Sequence, residues 1–256
     1  MKKILSIVLV LVFAFSAVAL AETTPAATIE PDVKGEGVMT YAEYAAAELE
    51  TEVTIETYVQ AKQSWWNDQA TFYTQDKEGA YFLYNMPCTE EQYAQLVPGT
   101  KIKVTGYKTA WAGEVEIVDA TFEILEGSYI AETTDATELL AAENLIDSQN
   151  MFVTFKGMTI EAVNEAGDAF QYNWVGSGEV GSDSDLYFKA SVNGQTYTFV
   201  VEYYVCDANG VYGAETETYQ AVQALKVGDV VDLEGFLYWY EGAQPHITAV
   251  SAAAAE

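Results

Sequence analysis

The residues in this sequence that could do chemistry differ greatly in how much they say. There is one histidine, His246, so a zinc centre with several imidazoles is excluded and no Ser-His-Asp set can be assigned. It sits in an alternating stretch, "PHITAV", where a packed or surface role is the ordinary one. The 39 carboxylates make any chosen pair uninformative as a glycoside-cleaving couple. "GSDSD" (Gly181–Asp185) and "DANG" (Asp207–Gly210) put acids in loops, as calcium sites do. Neither has a full ligand spacing, so both read as solvated turns. No glycine-rich phosphate loop occurs, and neither a cofactor nor a metal is expected.

The aromatic residues are more informative. Trp65 and Trp66 close the first alternating stretch, Trp111 stands at a Gly-containing turn, and Trp174 lies in an insertion. Tyr238, Trp239 and Tyr240 belong to the run "FLYWYEG". Such side chains fill a core or, if exposed near a rim, stack on a ligand. In a Trp-Trp pair on a strand the two side chains leave opposite faces, so one of Trp65 and Trp66 is expected to point outward. The candidate ligand-binding residues are therefore Trp65, Trp66, Trp111, Trp174, Tyr238 and Tyr240. Cys88 and Cys206 end corresponding strands, and export would permit a disulfide between them. Whether they come within bridging distance is left open by the sequence.

The ends and the charge bound the setting. Lys2 and Lys3, a run of apolar residues and the small-x-small site Ala19-Leu20-Ala21 form an export signal over residues 1–21. The chain is expected to be secreted, or associated with the cell surface, and free of the membrane once cleaved. The net charge is −28, and the 11 cations are all lysine. Bidentate gripping of phosphate or guanine is mostly arginine work, and a negative field repels polyanions. Nucleic acid and anionic membrane are therefore expected to be poor partners.

The elements that position these residues repeat. Residues 22–39 are small and polar, as a flexible leader is. A short helix capped by Thr40 follows, then three alternating strands, a helix capped by Thr89, and a hairpin turning at Ala112-Gly113. After a link at 128–135 ending in another short helix, the same order recurs. An offset of 129 residues carries Leu96 onto Leu225, Gly99 onto Gly228, Gly106 onto Gly235 and Gly113 onto Gly242. That is a duplication. Five strands with a helix between the third and fourth is the order of the OB barrel. The Gly99 and Gly228 turns also resemble the entry to the fourth strand in OB domains.

The chain thus resembles tandem OB-fold secreted proteins of Gram-positive anaerobes. The resemblance implies a mainly β fold of two five-stranded barrels, 40–127 and 136–252, each with a short helix between strands three and four and a short leading helix, and one short tail at 253–256. It implies fold more than activity. The expected function is a non-catalytic binding module for a glycan or an extracellular protein. The alternatives are a carboxylate-based extracellular hydrolase and a structural spacer of the cell surface.

Overall fold

The computed structural model describes residues 33–178 and 183–253. The expected export signal, most of the leader, Gly181 and Ser182 of the first acidic loop, and the last three residues lie outside them. The chain enters through α1 (Tyr41–Ala46). Here the Thr40 side chain accepts from Glu43 N–H while Glu43 reaches back to the cap, a reciprocal capping box. Its last turn has no basic residue of its own. Lys108 supplies the charge instead, its Nζ donating to the Tyr44, Ala45 and Ala47 carbonyls at 2.9, 3.0 and 2.8 Å.

Strands β1 (Thr51–Lys62), β2 (Gln69–Gln75) and β3 (Ala80–Pro87) form a meander. Helix α2 (Glu90–Gln95), capped by Thr89, leads to the β4 (Thr100–Trp111) and β5 (Glu114–Ser128) hairpin. These five close into a barrel in the order β1-β2-β3-β5-β4. The link carries a two-residue strand, β6 (Thr134–Asp135), and two 3-10 turns. The helix expected there does not form as α. Neither turn has a side-chain cap, and Ala142 between them is extended.

The second unit adds β7 (Phe152–Glu161), β8 (Phe170–Tyr172), β9 (Leu186–Val192) and β10 (Gln195–Val201). Then come α3 (Glu217–Ala224), β11 (Val230–Phe236) and β12 (His246–Ala252). Pairing of β7 with β11, β11 with β12, β12 with β10, β10 with β9, and β9 back with β7 closes a second ring of the same order. Strand β8 is an extra edge strand, formed within the insertion that holds Trp174. The architecture is thus mainly β, two closed five-stranded barrels of OB-like topology.

The glycine matches have a physical cause. Gly99 and Gly228 take φ of +91° and +93°, a region in which a side chain is strained. Gly106 and Gly235 sit where the β4–β5 and β11–β12 registers shift. A Cβ on Gly106 would lie 2.8 Å from the Val118 carbonyl oxygen, and one on Gly235 would meet the His246 backbone. In both barrels the repeated glycine is the bulge at which neighbouring backbones close in.

Each barrel has its own core, built around Phe72, Tyr81 and Ile102 in the first and Phe155, Phe188 and Phe199 in the second. A third cluster joins them: Ala61, Tyr73 and Phe82 of the first barrel pack with Phe236 of the second. Tyr73 and Phe236 stack at 4.6 Å. Both barrels lie within a single compact unit.

The candidate interbarrel cleft

Backbone hydrogen bonds run along one side of the junction. Gln63 bridges to Val205, Ser64 N–H donates to Tyr204 O at 2.8 Å, and Cys206 N–H donates to Lys62 O at 2.9 Å. On the other side the β4–β5 turn meets the stretch after β11, where Glu241 N–H donates to Ala112 O and Trp239 N–H donates to Glu114 Oε2. Between these two seams lies a cleft of about 1130 Å³.

Its walls are aromatic. Trp66, Trp111, Trp174, Tyr238 and Tyr240 all line it, together with Tyr84 and Tyr204. Trp66 and Trp111 are each 57 % exposed and Trp174 is 76 % exposed. Trp111 and Tyr240, one from each barrel, lie 5.2 Å apart. Five of the six sequence candidates therefore meet in one place. Trp65 does not. It packs against the first core, and its indole N–H donates to Cys88 O at 2.9 Å.

The sequence reading placed the Trp pair on the end of the first strand, but β1 stops at Lys62. Trp66 pairs with Gln69 across a tight turn in which Asn67 and Asp68 both have positive φ. That turn aims Trp66 outward. Likewise the strand expected through "FLYWY" ends at Phe236. The positive φ of Glu241 and Gly242 turns the chain back on itself and leaves Tyr238 and Tyr240 facing the cleft.

The floor was not legible in the sequence. Tyr73 hydroxyl lies 2.6 Å from His246 Nδ1 and 3.0 Å from Glu202 Oε2. A hydroxyl has one proton. With that proton given to Glu202, His246 Nδ1–H donates to Tyr73. Gln63 supplies a second donor to Glu202 at 2.5 Å. Tyr238 stacks on His246 at 4.1 Å. Burial, helped by the nearby Asp185 charge, pushes the Glu202 carboxyl up to about 7. Burial also holds His246 neutral, down to about 3. Asp185, raised by burial, accepts from Tyr203 N–H at 2.7 Å. These groups come from β2, the end of β10, the start of β12 and the loop before β9, so no local pattern announces them.

The other candidates resolve simply. Cys88 and Cys206 are buried free thiols, so the disulfide that export would permit is not formed. Instead the Tyr93 hydroxyl stands 3.5 Å from the Cys206 sulfur, and the Lys62 ammonium lies over the Tyr93 ring. "DANG" is a turn closed on itself, Asp207 Oδ1 accepting from Asn209 and Val211 N–H. In the first acidic loop, Asp183 accepts from the Tyr204 hydroxyl at 3.2 Å.

No family model and no curated protein matches the chain. Among solved structures it is similar to "Structure of murine DNA binding protein bound with ds DNA", at 12% identity and TM-score 0.33, covering 79% of this chain and 97% of that one. It is also similar to "Crystal structure of Ifi202 HINa domain in complex with 20bp dsDNA", at 10% identity and TM-score 0.34, covering 78% and 98%. A third is a deletion mutant of the single-stranded DNA binding protein from Thermus aquaticus, at 13% identity and TM-score 0.26, covering 80% and 95%.

Two expectations are corrected here. Nucleic acid was expected to be a poor partner, yet these similar structures are titled for DNA binding. The glycan- or protein-binding module goes with that expectation. That expectation read a site from net charge. Net charge describes the whole surface, whereas stacking is a local contact with a ring face that every base offers.

Proposed function

We propose that the protein binds single-stranded nucleic acid by taking unpaired bases into the interbarrel cleft, where they stack on its aromatic walls. The observation that carries this reading is the convergence of Trp66, Trp111, Trp174 and Tyr240, all exposed, on one cleft between two rigid barrels. Each stacked base is worth about 1–3 kcal/mol. In this reading the protein works outside the cell, on the strength of the export signal read in residues 1–21.

The acidity shapes the mode of binding. Among the described residues the cleft is lined by Asp185, Glu202 and Glu241 and by no lysine. Bases enter, and phosphates stay in solvent. Salt dependence arises from counterions released by phosphate contacts, with a slope of about −0.7 per phosphate neutralised on single strands. A strand held by its bases alone gives a slope near zero. The test is tryptophan fluorescence during titration with a short single strand and with its duplex. Quenching by the single strand, little by the duplex, and an affinity changing less than about twofold between roughly 50 and 200 mM salt are expected. Absence of quenching by any single strand overturns the reading.

A further inference from the structure

The walls of the cleft and its floor ask for different things of a ligand. The walls offer ring faces, whose negative quadrupole attracts positive charge as well as other rings. The floor offers acceptors and negative charge. Asp185 uses one carboxylate oxygen for Tyr203 N–H, and its other oxygen has no protein donor among the described residues. Glu202 lies close enough to Asp185 for the Asp185 charge to raise the cost of ionising it. Among the described residues no lysine lines the cleft to offset them, and His246 is held neutral beneath Tyr238. A neutral base leaves this charge uncompensated.

We propose that the cleft selects flat rings that carry a positive charge, seating the ring against the tryptophan and tyrosine faces with its cationic edge toward Asp185 and Glu202. The proposal rests on the base-stacking reading and narrows it to cationic nucleobases, such as those alkylated on a ring nitrogen. Two independent interactions then act on the same charge: attraction to the aromatic faces, and charge-assisted hydrogen bonding from the ring's N–H groups to a carboxylate. Desolvation inside the cleft strengthens both.

The experiment compares three nucleosides, all free of phosphate, by fluorescence titration at neutral pH. Adenosine is the parent. 1-Methyladenosine is protonated and cationic at neutral pH, and its isomer N6-methyladenosine carries one proton fewer and no charge. The expected result is that 1-methyladenosine binds on the order of tenfold more tightly than its neutral isomer. In Asp185→Asn and Glu202→Gln that preference should collapse toward parity. Asp185→Asn is the safer variant, since an asparagine oxygen still accepts from Tyr203 N–H, and a thermal melt checks that it folds. Equal binding of all three nucleosides overturns this inference and leaves base stacking standing. Binding of none overturns both. A cation preference that survives both substitutions also overturns it, because the carboxylates would not be its source.

Discussion

At the scale of single residues, the Trp65–Trp66 pair separates stability from binding. Trp66 is exposed and lines the cleft, while Trp65 packs on the first core with its indole N–H bonded. Trp66→Ala is expected to weaken single-strand binding by about 1–3 kcal/mol and leave the melting temperature unchanged. Trp65→Ala should instead cost about 3 kcal/mol of stability, through a cavity and an orphaned Cys88 carbonyl. Parallel fluorescence titrations and urea unfolding of the two variants check this; equal destabilisation by both contradicts it. The thiols permit a second test. Burial pushes the Cys88 thiol up to about 11 and raises that of Cys206 as well. Because the thiolate is the nucleophile, neither is expected to react with iodoacetamide in the native protein at pH 8. Both should react in denaturant, as counted by mass spectrometry.

At the scale of elements, the duplicated glycines are the positions at which each barrel closes. Gly106→Ala sets a Cβ against the Val118 carbonyl at a bulge between β4 and β5. The expected cost is about 1–3 kcal/mol, typical of an overpacked site, read as a lower urea midpoint with little change in slope. Gly157 has open space around the same position, though with φ of +62°, so a clash is not what holds it. Lys108 does for α1 what a basic last turn would do, at a distance of 64 residues from Tyr44. Lys108→Met should free α1 while both barrels stay closed, detected as faster amide exchange confined to residues 41–47.

For the whole molecule, the junction between the barrels makes stability depend on pH. Glu114 is fully buried, bonds Trp239 N–H of the other barrel, and has one oxygen without a partner. Burial pushes its carboxyl up to about 8. Below the ordinary value of 4.5 the group is protonated in both folded and unfolded chains, and nothing is lost. As pH rises from there to about 8, the unfolded chain ionises first and the folded state loses stability. Glu114→Gln keeps an acceptor for Trp239 and has no proton to lose. It should melt higher than the parent at pH 8, and the advantage should vanish near pH 4.5. His246 acts in the opposite direction. Held down to about 3 from 6.5, it costs stability as pH falls through that window. Thermal melts across pH 4–9 of parent and Glu114→Gln separate the two contributions.

What the sequence by itself determined about this protein is whatever local chemistry can enforce. Alternation fixes which strand faces are apolar, Thr40 and Thr89 fix where helices begin, and glycines at a constant offset mark turns and bulges that a side chain would obstruct. Duplication and barrel topology follow from these. Closure of the second ring through β7 and β9, and the angle at which two barrels meet, depend on contacts between residues far apart in the chain. Only the tertiary structure decided them. Tyr73, Glu202 and His246 lie in three separate elements, and nothing near any of them in the sequence shows that they meet. The exposed tryptophans could be suspected from their positions. Their convergence on one cleft, and the acidic floor beneath them, came from packing Phe236 of one barrel onto Tyr73 of the other.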